Sequence, residues 1–467
     1  MTTTGGTAPD RAYHPEATVP AAGFVPPQGR TRGPAPGPRV PAPHVAGAPD
    51  GGPGSPADRT PDGLAADFAT RPTAVPAAAP AARPAVTELR LSAFGPHRGT
   101  VLPLGPVTLL RGPSGSGKST ALDAYEALAR LASGADLDEA LPDAVHRVPE
   151  RSRPDAQGRR GLRIGCTVDG PAGPVALDLA VQVEPTLRIV GERLTGQGRT
   201  LLATALRDPR RSTVHAEWHT AGSTPVTRAP LPDDLLATGL LPLRVAGKTQ
   251  GQRDVLAAAE QVVVGLRSIF PCDPLPRRMR APAPIGASAG RLRRDCRNLA
   301  EVLHRTATEC PRRHARLAAF AAAGCTGPVA ALGLRETADG SLVEAVLERT
   351  PRATGPTTPL GRLGDGELRY LALGLVLLTG PAVLAVDPAE EVPQAMQTLT
   401  VLADGLDRGL DARQTRALLA LAGEICAAGH MRLVATTGET PLAPGQTPLA
   451  PGVVPGVTVV DLGRDRT

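Results

Sequence analysis

The clearest hydrophobic pattern in the chain lies between residues 107 and 131. Residues 107–110 form a short β-branched and apolar run, which predicts a buried strand. Across 119–131 the apolar residues recur at helical spacing, and they are Ala121, Leu122, Tyr125, Leu128 and Leu131. Upstream, 87–94 alternates like a strand, and 100–104 follows a Gly95-Pro96 turn as its hairpin partner. The sequence therefore predicts a hairpin, a buried strand and an amphipathic helix, in that order.

Less pronounced patterns follow along the rest of the chain. Strands are predicted at 162–168, 175–183, 186–190 and 214–219, and together they suggest a small antiparallel sheet with Gly/Pro turns. Helices are predicted at 254–266, 292–303, 313–323 and 412–428, and further buried strands at 382–387, 432–436 and 457–460. No heptad repeat runs for three or four turns, which argues against a long coiled coil.

The first 85 residues differ from the rest in composition. They are rich in Ala, Pro, Gly and Thr without apolar periodicity, so we predict a disordered tail over 1–85. Asp10 and Glu16 come early, and no apolar segment of the needed length follows Met1, which excludes a signal or transit peptide. No run approaches roughly 18 apolar residues, so we expect no transmembrane helix, no membrane partner and a cytoplasmic protein.

The loop between the predicted strand and helix carries the strongest chemical signal. It fits the phosphate-binding pattern G-x-x-x-x-G-K-S/T at every fixed position. Backbone N–H groups of such a loop point at phosphates, Lys118 reaches the β- and γ-phosphates, and the Ser119 hydroxyl ligates Mg²⁺. The alternative is a Gly/Ser-rich turn that binds nothing, which the flanking strand and helix disfavour. We therefore predict ATP and Mg²⁺ as cofactors, held by Gly112, Pro113, Ser114, Gly115, Ser116, Gly117, Lys118, Ser119 and Thr120.

The hairpin with its Phe94-Gly95 turn, followed by the P-loop and its helix, resembles the head domain of the RecF/SMC-type ABC ATPases, a group that includes stand-alone bacterial AAA family ATPases. The stretch 298–303 resembles the N-L-A-x-x-L helix of the same group. The resemblance implies an α/β P-loop NTPase fold with a mainly parallel core sheet, an antiparallel β lobe and a helical insertion. It divides the chain into a first half of the head at 86–133, an inserted lobe at 134–360 and a second half at 361–467.

A second glycine-rich loop, at 363–369, resembles the ABC signature motif. It opens a predicted helix and offers another cluster of backbone N–H groups, contributed by Gly364, Asp365 and Gly366. In the resembled family this loop reaches the γ-phosphate held by a second subunit, which implies a homodimer formed on ATP binding. The alternative is a helix N-terminus where glycine allows close packing.

The apolar run 382–387 ends in Asp387 and has the form of a Walker B strand. The resemblance implies that Asp387 and Ser119 together hold Mg²⁺.

Three positions depart from the family pattern. The Glu that follows the Walker B Asp is replaced by Pro388, the Thr-His switch reads Thr436-Thr437-Gly438, and the signature Ser is Gly364. Nucleotide binding should therefore persist while hydrolysis is slow, because a catalytic base contributes about 10²–10⁴ in rate. Glu390 and Glu391 are the candidates for a displaced catalytic carboxylate.

Charge and cysteine content add little that is specific. The formal net charge is +6, and six scattered cysteines without a C-x-x-C pair predict free, mostly buried thiols. Eleven arginines cluster in one segment: Arg277, Arg278, Arg280, Arg291, Arg293, Arg294, Arg297, Arg305, Arg312, Arg313 and Arg316. This segment could bind DNA phosphates, although a solvated face is favoured because aromatics for base stacking are nearly absent.

Two functions follow from these observations. The first is an ATP-dependent switch that dimerises head to head with weak hydrolysis. The second is an active ATPase in DNA repair or anti-phage defence that binds DNA through 277–316.

Overall fold

The computed structural model of this protein describes residues 83–221, 225–285, 291–351, 355–380, 383–386, 392–393, 396–438 and 456–463. The chain divides into two units, Met1–Val75 and Pro76–Thr467, and every described residue belongs to the second. The predicted tail therefore lies outside the described residues, except for 83–85. None of the helices in the described ranges is long and apolar enough to cross a membrane. All six cysteines are free, and five of them are buried, as predicted.

The described residues form three sheets and a set of helices. The strands are β1 (Ala85–Phe94), β2 (His97–Pro103), β3 (Val107–Arg111), β4 (Arg160–Asp169), β5 (Val175–Glu184), β6 (Arg188–Gly196), β7 (Arg199–Ala205), β8 (Thr213–His219), β9 (Val226–Pro232), β10 (Ile269–Cys272), β11 (Ala283–Pro284), β12 (Ala331–Glu336), β13 (Leu342–Glu348), β14 (Thr357–Pro359), β15 (Leu399–Ala403), β16 (Met431–Thr437) and β17 (Val457–Asp461). The helices are α1 (Lys118–Ala132), α2 (Leu137–Ala140), α3 (Ala237–Arg244), α4 (Gln250–Arg267), α5 (Pro276–Met279), α6 (Leu299–Glu309), α7 (Pro311–Gly324), α8 (Asp365–Leu378) and α9 (Ala412–Ala427).

A five-stranded sheet in the order β10-β15-β16-β3-β17 forms the core, and each pairing in it is parallel. Strand β3, which leads into the P-loop, pairs with β16 on one side and β17 on the other. Its side chains alternate between two buried clusters, with Leu110 on the side of α1 and Leu109 on the side of α8 and α9. Burial on both faces is typical of an interior parallel strand. The predicted strands at 107–110, 432–436 and 457–460, and the helices at 119–131 and 412–428, are confirmed.

The predicted strand at 382–387 is wrong as a member of this sheet. Of its residues, 383–386 are described, and Leu384 makes only an isolated bridge to Leu292. The place beside β16 is taken by β15, whose five residues are all buried. The physical reason lies in the flanking residues, because Pro381 and Pro388, which donate no backbone hydrogen bond, border the first run at both ends, whereas 399–403 has no proline within or beside it.

An eight-stranded antiparallel sheet in the order β2-β1-β4-β5-β6-β7-β8-β9 packs on the α1 side of the core. The four strands predicted between 162 and 219 are confirmed, but they do not form a sheet of their own, since β4 pairs directly with β1. Alternating buried positions on both strands allow β1 and β4 to share one apolar face. Residues 134–360 thus contribute to the antiparallel sheet and, through β10, to the parallel one. The division of the chain at 134 and 360 stays a prediction.

On the other face of the core, α6 to α9 pack with a small sheet in which β13 pairs with β11, β12 and β14. The helix predicted at 292–303 begins only at Leu299. The preceding loop is held by Asn298, whose side chain accepts from Arg293 N (3.0 Å) and donates to Arg291 O (2.9 Å). These side-chain hydrogen bonds compete with helix formation, and this explains the later start.

Candidate nucleotide-binding site

The P-loop joins β3 to α1 and has a backbone that requires glycine. Gly115 and Gly117 have φ values of 80° and 94°, a region that side chains rarely adopt. A Cβ on Gly117 would lie 2.5 Å from His97 Nε2 and 2.8 Å from Pro96 Cγ. The ring of His97 also contacts Gly117 O at 2.9 Å. The β1–β2 turn therefore braces the end of the loop where α1 begins.

Two polar side chains of the loop fit a phosphate ligand. Lys118 Nζ donates to Gly112 O (2.7 Å) and Pro113 O (2.9 Å), so its ammonium group lies over the loop itself. The hydroxyl of Ser116 is buried and has no hydrogen-bond partner within the described ranges. Loop carbonyls are exchangeable partners for an ammonium group, and an unpartnered hydroxyl is costly to bury. Both observations are consistent with a loop built to receive an oxyanion.

The carboxylate that faces the P-loop belongs to Asp404, the residue after β15. Ser119 Oγ donates to Asp404 Oδ1 at 2.9 Å and lies 3.1 Å from Oδ2. Thr436 Oγ1 donates to Asp404 Oδ1 at 2.6 Å, which fixes the carboxylate from the end of β16. Because β3, β15 and β16 run parallel, their carboxyl ends meet at one edge of the sheet.

Asp404 is the site residue that the sequence predictions missed. The prediction for Asp387 lies outside the described residues, as do those for Glu390 and Glu391. The missed signal was a second apolar run, 399–403, that is also followed by an aspartate.

The Ser119 hydroxyl and the Asp404 carboxylate would leave most of a coordination shell to water and phosphate oxygens, which is the usual arrangement for Mg²⁺ beside a nucleotide. Within the described ranges no group of three or more His, Cys, Asp or Glu side chains forms another metal site.

The turn after Asp404 has no carboxylate at its first position. Gly405 follows directly, with φ at 62°, and its N–H donates to Thr436 Oγ1 at 2.7 Å. Farther along, Asp407 accepts from the backbone N of Gly438, with its Oδ2 at 3.0 Å. These hydrogen bonds between backbone N–H groups and side-chain oxygens tie the turn to the end of β16, and the first residue of the turn has no side chain.

Arg369 on α8 connects this turn to the signature-like segment. Its side chain is 4% exposed and donates to Pro274 O (2.7 Å), Gly405 O (3.0 Å) and Asp404 O (3.3 Å). Burial lowers the pKa of its guanidinium, and Arg408 adds to this effect. Arg369 is the last residue of the signature-like stretch 363–369, but no separate role was predicted for it, although a charged residue within the otherwise apolar run 368–378 of α8 was a signal for a buried polar role.

The signature-like loop lies next to the same turn. Gly364 N donates to Glu367 Oε2 at 3.1 Å, and Arg280 holds the loop from outside through Gly361 O and Leu363 O, both at 2.7 Å. A Cβ on Gly366 would lie 2.0 Å from Gly409 O, so close packing also requires this glycine. Gly364, Asp365 and Gly366 contact Glu367, Arg280 and Gly409, respectively, and none of these three partners belongs to the P-loop.

The arginine-rich segment is partly neutralised within the chain. Among its described residues, ion pairs join Arg278 to Asp295, Arg280 to Asp365, Arg294 to Glu126, Arg305 to Glu309 and Arg316 to Glu424. Three of these pairs connect the segment to α1, α8 and α9, and the pair of Arg305 with Glu309 lies within α6. They support the interpretation of a solvated, structural face over that of a DNA surface.

Comparison with known proteins gives similarity in fold only. No protein-family model matches the sequence, and no curated protein matches it either. Among solved structures, the chain is similar to an SMC head domain from Thermotoga maritima, with 13% identity, 76% of this chain and 89% of that chain covered, and a TM-score of 0.36.

Two further structures give comparable values. An SmcHead bound to the C-winged helix domain of ScpA has 15% identity, coverage of 76% and 90%, and a TM-score of 0.37. An Smc head domain with an extended coiled coil, bound to the C-terminal domain of ScpA derived from Pyrococcus furiosus, has 12% identity, coverage of 76% and 90%, and a TM-score of 0.39. These values are too low to assign a family or an activity, so the functional argument depends on the geometry of the site.

Proposed function

We propose that this protein binds ATP and Mg²⁺ through its P-loop and acts as an ATP-dependent switch that dimerises head to head and hydrolyses ATP weakly. The observation that carries the proposal is the hydrogen bond between Ser119 and Asp404, because it joins the P-loop to a carboxylate at the end of a neighbouring parallel strand. A loop that binds nothing would not need this pairing.

Each residue has a separate role in binding. The loop N–H groups and the α1 N-terminus receive phosphate oxygens, and Lys118 exchanges its two loop carbonyls for the β- and γ-phosphates. Ser119 and Asp404 hold Mg²⁺, which neutralises phosphate charge when bound. Since Gly405 has no side chain, nothing at this position can take a proton from water, and slow hydrolysis follows.

The switch depends on contacts that connect the nucleotide site to the signature-like loop. Arg369 bonds to the carbonyls of Asp404 and Gly405, and the turn reaches Gly366 of the signature-like loop through Gly409. A displacement of Asp404 on Mg²⁺ binding would therefore shift the surface formed by Gly364, Asp365 and Gly366. We infer that this surface meets the γ-phosphate held by a second copy of the chain.

The test is to measure nucleotide binding, turnover and dimerisation on one purified sample. We expect Mg²⁺-dependent ATP binding, turnover well below ~1 s⁻¹, near the low end of usual enzyme rates, and a dimer detected by light scattering with ATP but not with ADP. The absence of ATP binding would refute the proposal. Turnover at or above that rate would refute the weak-hydrolysis part.

The alternative is an active ATPase that uses Glu390 or Glu391 as base and binds DNA through 277–316. It predicts that Glu390→Gln or Glu391→Gln abolishes turnover. DNA affinity should then fall steeply with salt and show little sequence preference. The five ion pairs made by arginines of this segment count against DNA binding, because they engage side chains that DNA phosphates would otherwise need.

A further inference from the structure

Arg408 occupies the space beside the first position of the turn after Asp404. A Cβ built on Gly405 would lie 3.0 Å from both Nε and Nη2 of Arg408 and 3.2 Å from its Cζ. The volume that a side chain at position 405 would enter is therefore filled by a guanidinium group. A cation therefore lies directly beside the residue that follows the Asp404 carboxylate.

The guanidinium is held loosely between two acidic side chains. Its Nη2 lies 3.8 Å from Asp404 Oδ2, and its Nη1 lies 4.0 Å from Asp273 Oδ1. Both distances exceed the length of a hydrogen bond. The side chain is 59% exposed, so it can reorient toward an incoming anion at little cost.

Asp404 links this arginine to the P-loop. The same carboxylate contacts Ser119 Oγ and the Arg408 guanidinium, which places a positive charge next to the predicted Mg²⁺ site. A guanidinium is always protonated and forms paired, charge-assisted hydrogen bonds to phosphate oxygens. Because it cannot accept a proton from water, it can bind a terminal phosphate but cannot act as the general base of hydrolysis.

We propose that Arg408 is a γ-phosphate ligand, supplied by the same chain, that makes this site prefer nucleoside triphosphates to diphosphates. The inference rests on the proposed function, since it needs a nucleotide in the P-loop. It goes beyond that function by assigning the selectivity of the site to one side chain that the P-loop pattern does not contain.

The experiment compares the dissociation constants of ADP and of the non-hydrolysable imido analogue of ATP, with Mg²⁺, by calorimetric titration of the full chain. In Arg408→Ala we expect analogue affinity to fall about 10- to 100-fold, the range for a hydrogen bond to a charged group, while ADP affinity changes less than about threefold. Arg408→Lys should restore part of the loss. The control is Arg335→Ala, which removes an equally exposed arginine (59%) that pairs with Glu344 on β13.

The outcomes separate the two proposals. Equal loss of both nucleotides in Arg408→Ala, or no loss of either, overturns the role of Arg408 while ATP binding by the wild type still supports the proposed function. If the wild type binds neither nucleotide, both proposals are wrong. A thermal melt of each variant shows whether the protein has remained folded. If Arg408→Ala is unfolded, the ratio of the analogue and ADP dissociation constants in Arg408→Lys decides the question instead.

Discussion

The P-loop and the turn after Asp404 lie at the same edge of the parallel sheet, but they differ in chemical content. The P-loop has the lysine, the hydroxyl and the glycine backbone that phosphate binding requires. The turn begins with Gly405, which has no side chain, and the guanidinium of Arg408 fills the space beside it. The difference suggests that binding a nucleotide and cleaving it are separable properties, built from separate segments of chain.

The largest effect should come from Lys118→Ala. Loss of the ammonium group should weaken nucleotide binding by about 100-fold or more, because its contacts with two phosphates are charge-assisted. The fold should remain, since the side chain is only partly buried and bonds to its own loop. Titration calorimetry measures the affinity, and Lys248→Ala, at the only other lysine, is the matched control. Unchanged affinity in Lys118→Ala would contradict the role of the loop.

Asp404→Asn should have the next largest effect. The amide can still accept from Thr436, so the turn should stay in place, but the charge that holds Mg²⁺ is lost. We expect the Mg²⁺ dependence of ATP binding to disappear and affinity with Mg²⁺ to fall about tenfold. Asp407→Asn changes a carboxylate that bonds to the Gly438 backbone and serves as the control. A full Mg²⁺ response in Asp404→Asn would rule out the site.

Gly405→Glu tests whether the lack of a carboxylate directly after Asp404 limits the rate of ATP hydrolysis. The single variant should gain little turnover, because φ at 62° strains a side chain and Arg408 fills its space. Combining it with Arg408→Ala should raise kcat at saturating ATP, by up to about 10²-fold, since a base then has room beside the metal site. Single-turnover assays measure the hydrolysis rate of the single and of the double variant. Equal rates in the single and double variants would show that Arg408 does not block this position.

The smallest effect is expected for Gly364→Ser. The backbone there is extended, with φ at −63°, and a Cβ would meet only Glu367 Oε2 at 3.7 Å. Serine is also favoured at the start of a helix, so thermal stability should be unchanged or slightly higher. The added hydroxyl should strengthen the ATP-dependent dimer a few-fold in light-scattering titrations. Gly366→Ala is the contrasting variant, because its Cβ would clash with Gly409 O and should weaken the dimer.

The sequence predicted the parts of the fold whose signals are local. The P-loop, its strand and its helix follow from nine residues and their flanking pattern, and β16 and β17 follow from short apolar runs, although β17 is only half-buried. Asp404 was missed because two apolar runs end in an aspartate, and only strand pairing decides which one joins the sheet. The pairing of β4 with β1 and the position of Arg408 are also long-range facts. Neither leaves a local pattern in the sequence.

The pairing of β3 has a consequence for the order in which the protein can assemble during synthesis. Its two neighbours, β16 and β17, leave the ribosome long after it, and 350 positions separate Arg111 from its ion-pair partner Asp461. The antiparallel sheet, by contrast, joins strands from 85 to 232 mostly by hairpins, so it can fold on the nascent chain. β3 therefore stays unpaired in this partly folded intermediate, and the nascent chain completes its nucleotide site only after β16 and β17 have been synthesised.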